Sequence, residues 1–277
     1  MRFAKYQGIG NDFVLFADPD DRLRLTPENV RALCDRRFGI GADGVIRVAP
    51  AKGPGDLFMD YVNSDGSLGE MCGNGIRCLA VFAAAEGLTT ADELKVETRA
   101  GLKTVWVAGD GIRVDMGPPA FRPEDVPVLW QGDDALHAKV ELDDEIVEAA
   151  CVSMGNAHAV MFVDDLAGVP LTDLGPRIET HPMFPAGTNV EFVVVDSSGR
   201  VAMSVWERGS GQTMACGTGA CAAAVAARLL RGTDETTTVA MPGGELTVEW
   251  SGSIDDVQPV YMTGPAVKSF EGDVELP

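Results

Sequence analysis

The amino-acid sequence is written twice over, and that repeat constrains the fold of this 277-residue chain more than any other feature. EMCGNGIRC (70–78) returns as MACGTGAC (214–221), which puts Cys72 and Cys216 in the same place of two similar segments. Other pairs follow in the same order at a nearly constant offset: IGNDFVLF (9–16) with MGNAHAVM (154–161), FGIGADGVI (38–46) with FPAGTNVEF (184–192), and DLFMDYVNSDG (56–66) with RVAMSVWERGS (200–210). VETRAGLKTV (96–105) lies over VAMPGGELTV (239–248), and VDMGPPA (114–120) over VYMTGPA (260–266). Glycine and valine recur by chance in any one pair. A series that keeps its order marks two homologous halves.

Each half is rich in short β-branched stretches bounded by Gly, Pro, Asn and Asp, such as Val105–Val107, Ile112–Asp115 and Glu191–Val195, which read as strands. Each has one plainly helical run just after its CG-x-G, Ile76–Ala85 and Ala220–Leu230, so rich in alanine and so apolar all round that burial is expected. The expected fold class is therefore α+β: two pseudo-symmetric lobes, each a curved, antiparallel-rich sheet or barrel around a central helix, with the active site in the cleft between them. The proline-rich stretch 116–127 reads as the crossover, and its counterpart near Gly264 sends the last residues back to the first lobe. That gives a first lobe of 1–116 plus 264–277 and a second of 117–263.

Both cysteines sit where a loop enters a helix. Unpaired backbone N–H groups and the positive end of the helix dipole favour a thiolate there, so both thiols are expected below their free pKa of about 8.5. A pair of equivalent acid/base groups flanking one carbon suits inversion of a stereocentre, with a proton leaving one face and another arriving on the opposite one. Asn11, Asn63, Asn74, Asn156 and Asn189 supply neutral donors, and Arg208 a carboxylate fork. Asn63, Asn189 and Arg208 are the set expected to grip the distal end of the substrate. Cys34, Cys78, Cys151 and Cys221 are assigned to packing. Neither the Cys72/Cys78 nor the Cys216/Cys221 spacing fits the close ligand pairs of a structural zinc site, so no metal is expected. The 22 Lys and Arg against 42 Asp and Glu give a net charge of −20, which disfavours nucleic acid and anionic membranes as partners. With no signal-like N-terminus and six cysteines, too few for a disulfide scaffold, the expected location is the cytoplasm.

NSDGSLGEMCGNGIR (63–77) resembles the signature of the diaminopimelate epimerase family, and ERGSGQTMACGTGA (207–220) resembles its second cysteine motif. GIGNDF, FGIGADG, MGNAH and GTNVEF follow the family in order, so the likeness spans the whole chain. The resemblance implies an isomerase without a cofactor, acting on a small amino acid, LL- or meso-diaminopimelate, in lysine and peptidoglycan precursor synthesis. It implies a Cys72/Cys216 pair whose pKa values are tuned by His158 and Glu207. Substrate would be bound by Asn11, Asn63, Gly73, Asn74, Asn156, Asn189, Glu207, Arg208, Gly217 and Thr218. Members often form homodimers, which extends that expectation here. Some carry Gln where this chain has Gly44. Proline racemase-like enzymes share the paired-cysteine logic, but they typically place His at the position of Asn74 and Asp-Arg-Ser at Glu207-Arg208-Gly209. Two readings from other classes are a dinucleotide-binding turn, since Gly217, Gly219 and Ala222 fit Gly-x-Gly-x-x-Ala, and a non-catalytic module stapled by a Cys72–Cys216 disulfide.

Overall fold

A computed structural model of the chain describes every residue except Asp110, Asp144 and Pro277. The described elements run β1 (Arg2–Gly8), β2 (Asn11–Ala17), α1 (Pro27–Cys34), β3 (Gly44–Pro50), β4 (Leu57–Asn63), α2 (Gly73–Ala85), β5 (Glu93–Thr98), β6 (Gly101–Ala108) and β7 (Gly111–Gly117). They continue with β8 (Ala138–Glu141), β9 (Ile146–Ser153), β10 (Ala157–Phe162), α3 (Leu171–Glu179), β11 (Asn189–Val195), β12 (Val201–Glu207), β13 (Gly211–Thr213), α4 (Gly217–Arg231), β14 (Thr236–Met241), β15 (Gly244–Glu249), β16 (Val260–Gly264) and β17 (Val267–Asp273). The chain divides into two compact lobes, Met1–Asp115 with Thr263–Pro277, and Met116–Met262.

In the first lobe β1 pairs antiparallel with β17 and with β2, and β2 runs parallel to β3. β3 pairs antiparallel with β4, β4 parallel with β5, and β5, β6 and β7 follow as an antiparallel meander. The second lobe repeats the plan. β9 and β10 are antiparallel, β10 and β11 parallel, β11 and β12 antiparallel, β12 and β14 parallel, and β14 and β15 antiparallel. The fold class is α+β, with two pseudo-symmetric, sheet-rich lobes.

The central helices explain why each sheet curls. α2 buries Ile76, Cys78, Leu79, Ala80, Phe82 and Ala83, and α4 buries an almost unbroken run from Gly219 to Ala227. Apolar residues on all sides of both helices, nearly all of them small in α4, let strands approach from several directions, the pattern of a helix enclosed rather than laid on a surface. The first lobe packs Phe3, Val14, Phe16, Val30, Leu33, Val45 and Val62 in one cluster, and the second packs Ala157, Ala159, Met161, Ile178, Phe184, Val190 and Phe192 in another. Both helices begin three residues earlier than their apolar runs, at Gly73 and Gly217, because the cysteine itself is the N-cap.

The strand registers shift one part of the repeat by a residue. β2 sets Phe13 opposite Gly44, and β10 sets His158 opposite Asn189, so Gly44 is the counterpart of Asn189; letter-by-letter alignment of the two segments would have paired Asp43 with it. Gly41 (φ 77°) and Gly187 (φ 70°) are true equivalents in the preceding loops. The first lobe spends one more residue between that glycine and its strand. Phe13 corresponds to His158 as the letters already align, and with the register corrected Ile46 corresponds to Glu191.

Candidate active site

The first half-site starts at a two-residue turn. Ile9 (φ 47°) and Gly10 (φ 88°) join β1 to β2, a conformation with positive φ at both positions that sets Gly8 opposite Asn11. Asn11 therefore opens β2 with its side chain fixed from two sides. Its Nδ2 donates to Asp43 Oδ2 (2.7 Å), and its Oδ1 accepts from Asn74 Nδ2 (3.1 Å) and from the Cys72 thiol (3.6 Å). Cys72 caps α2, its Sγ accepting from the Gly75 N–H at 3.4 Å. The buried Asn74 accepts from Arg77 Nη2 at 2.8 Å, and the same guanidinium donates to Gly73 O and to Pro265 O. Asn63 ends β4 opposite Gly44, with its Nδ2 turned to Ser67 Oγ at 3.0 Å. A side chain at Gly44 has no room: a Cβ there would lie 2.6 Å from Tyr61 Cε2 and 2.8 Å from Val62 O. A glutamine contact at that position is therefore absent from this chain.

The second half-site is built by the corresponding elements with different chemistry. Cys216 caps α4 and accepts from the Gly219 N–H at 3.4 Å, with Thr218 Oγ1 at 3.5 Å. Its thiol hydrogen-bonds to Glu207, whose Oε1 also accepts from Thr213 Oγ1 at 2.5 Å. His158 is fully buried, with Nδ1 2.7 Å from Glu191 Oε1 and Nε2 3.0 Å from Asn156 Oδ1. Asn189 is buried with both ends of its amide engaged, Oδ1 accepting from the Arg208 N–H and Nδ2 donating to Ala157 O. Arg208 is exposed, and its Nη1 donates to Ala186 O at 3.0 Å. Gly217 is the first residue of α4.

The expectation of a depressed pKa fails at Cys216. Burial pushes its thiol well above the ordinary value, and the neighbouring carboxylates Glu207 and Glu191 push it further; hydrogen bonds from Thr218 and Gly219 oppose this and lose. Desolvation outweighs the helix terminus because the thiol is almost wholly removed from water. Glu207 is itself raised, first by desolvation, against hydrogen bonds from Thr213 and Cys216. Cys34, Cys78 and Cys151 are buried with pKa values raised to about 12, chiefly by burial, which suits inert packing groups.

Glu191, Thr213, Asp43 and Arg77 belong to these half-sites and were not singled out from sequence. Glu191 was hidden inside a strand rich in valine, although the corrected repeat marks it: an acid stands where the first lobe has Ile46. The first turn of α4 also argues against a dinucleotide site. A Cβ on Gly219 would come within 2.6 Å of Glu191 Oε1, so a carboxylate lies where a pyrophosphate would need to approach. Cys72 and Cys216 are not joined by a disulfide, and among the described residues no cluster of His, Cys, Asp and Glu is arranged to hold a metal ion. No described helix is long and apolar enough to cross a membrane.

Solved structures share this fold over the whole chain. A probable proline racemase from Agrobacterium radiobacter matches with a TM-score of 0.73 at 17% identity, over 100% of this chain and 93% of that one. A PhzF-family phenazine biosynthesis protein from Bacillus anthracis matches with a TM-score of 0.73 at 16% identity, over 99% of both chains. At such identities the likeness is one of fold alone. The family model for diaminopimelate epimerase matches residues 3–122 and again 150–269, once on each half of the repeat. Diaminopimelate epimerases of Desulfitobacterium hafniense and Synechococcus elongatus are each 47% identical to the chain, over 98% and 100% of it and over 97% and 99% of their own lengths. The chain belongs to the diaminopimelate epimerase family, which displaces the proline racemase and dinucleotide-binding readings.

Proposed function

We propose that this protein interconverts LL- and meso-diaminopimelate by a two-base proton transfer without a cofactor, Cys72 and Cys216 serving the same carbon from opposite faces. The observation that carries this reading is the repetition of one device: a cysteine capping the central helix of each lobe, its sulfur accepting from the third N–H of that helix. In the form described, Cys216 keeps its proton and is the acid, with Glu207 hydrogen-bonded to its thiol and able to take the proton when the direction reverses. Cys72 is then the base, acting once its thiol, which donates to Asn11 Oδ1 in the form described, has given up that proton. The N–H groups of Gly73, Asn74, Gly217 and Thr218, at the starts of α2 and α4, stabilise charge on the substrate carboxylate as enolate character grows. Asn11, Asn63, Asn156, Asn189 and Arg208 are the further groups that bind the amino acid. Thiols that must stay reduced and a free amino-acid substrate both fit the cytoplasm.

The test is exchange of the α-proton in deuterated water with LL-diaminopimelate and no added cofactor. Wild type should incorporate deuterium while forming the meso isomer, and Cys72→Ala and Cys216→Ala should each abolish epimerisation with the fold intact by circular dichroism. Near wild-type epimerisation by either variant would sink the scheme.

A further inference from the structure

We infer that Glu191 is a positioning residue for this reaction: it locks His158 so that Asn156 presents its NH2 group, and not its carbonyl, to the substrate carboxylate. This rests on the function proposed above. The argument is a count of protons. Asn156 Oδ1 only accepts, so His158 Nε2 at 3.0 Å must carry a hydrogen. Between Nδ1 and Glu191 Oε1, 2.7 Å apart, lies one further proton, whichever of the two atoms holds it. With Nε2–H given to Asn156 Oδ1, the contact at Nδ1 is made either by an imidazolium facing the Glu191 carboxylate or by a neutral ring accepting from a protonated Glu191; in both, Asn156 Oδ1 is spent and its Nδ2 donors remain for a ligand. If the amide of Asn156 were turned the other way, Nε2 would be bare and the carbonyl would face an anionic carboxylate.

Packing does not require this pair. The first lobe builds the same strands and the same central helix with Phe13 and Ile46 at the positions of His158 and Glu191, and all four residues are fully buried. Burying a titratable pair where two apolar residues suffice is costly. Glu191 Oε2 is moreover buried without a hydrogen-bond partner among the described residues. The groups that face the pair are Glu207 from β12, Cys216 from α4 and Cys151 from β9. A carboxylate placed at the first turn of α4, where a Cβ on Gly219 would meet it, links the orientation of Asn156 to the helix that Cys216 caps.

The deciding measurement is the ring nitrogen-15 spectrum of wild-type protein labelled at histidine, in which His158 is assigned against His137 and His181 by a His158→Phe variant. We expect His158 Nε2 in the protonated range; a bare Nε2 with the proton on Nδ1 overturns the proposal. Glu191→Gln, whose amide donates to Nδ1, should keep that signature and a KM for diaminopimelate within about threefold of wild type. Glu191→Leu should lose the single tautomer and raise KM about tenfold or more, whereas a merely structural glutamate would lower Tm and leave KM in place. If Glu191→Leu fails to fold, the wild-type spectrum still decides. If wild type does not turn over diaminopimelate, the proposed function falls, and the ring spectrum tests the proton arrangement independently.

Discussion

Glu207 joins stability to chemistry at a single side chain. Its carboxyl pKa is raised in the folded protein, first by desolvation. A raised folded-state pKa contributes stability that is full below the unfolded value of about 4.3 and is lost as pH rises through the folded value. Glu207→Gln, neutral at every pH, should therefore raise Tm relative to wild type at pH 8 and leave it unchanged at pH 4, readable by calorimetry at about 2–4 °C per kcal/mol of relief. The same variant should lose about 10²-fold or more in kcat, because the group beside the Cys216 thiol can no longer take its proton. Exposure separates the cysteines in a second way. Cys72 is half-buried and the other five are buried, so a brief iodoacetamide pulse followed by peptide mass spectrometry should find label on Cys72 alone. Equally rapid labelling of Cys216 would mean that the second half-site is far more open than described.

The two central helices look interchangeable in sequence, yet they meet different neighbours. Gly75 and Gly219 each follow their capping cysteine by three residues, and alanine at either would gain about 0.5–1 kcal/mol of helix propensity. A Cβ at Gly75 would meet Ile46 Cδ1 and Met59 Cε, both at 2.9 Å, the far ends of side chains that can turn aside; at Gly219 it would meet the Glu191 carboxylate at 2.6 Å. Gly75→Ala should accordingly change Tm by no more than a few degrees and keep activity. Gly219→Ala should be destabilised by about 1–3 kcal/mol and lose activity more than tenfold. The comparison also marks how far the sequence was legible. The repeat, the buried helices and the capping cysteines were readable because periodicity and glycine punctuation report local geometry. The Cys216 pKa was not, since desolvation depends on how many atoms close over the sulfur. Glu191 was missed because strand register is set by the neighbouring strand, and a slip of one residue reassigns every partner along it.

At the scale of the whole chain, charge is the dominant property. A net charge of −20 on 277 residues sets many carboxylates against one another, and the exposed ion pairs such as Arg2–Glu271 and Arg200–Glu245 offset little of that repulsion. Tm should rise as sodium chloride is increased from 0.01 to 0.5 M, over which the Debye length falls from about 30 Å to well under 10 Å. A flat or falling Tm would show that favourable ion pairs prevail over the net repulsion. The path of the chain carries a different consequence. Arg77, in the middle of α2, donates through Nε to Pro265 O while the same guanidinium holds Asn74 and Gly73, and β1 finds its outer partner in β17. During synthesis the second lobe therefore has all of its own strands before the first lobe does. The part that leaves the ribosome first is the last to be finished, and a nascent chain lacking its final dozen or so residues leaves Arg77 Nε without its Pro265 acceptor and β1 with an open strand edge. Premature termination near the 3′ end of the message should thus yield a product that is aggregation-prone and inert, despite holding both cysteines.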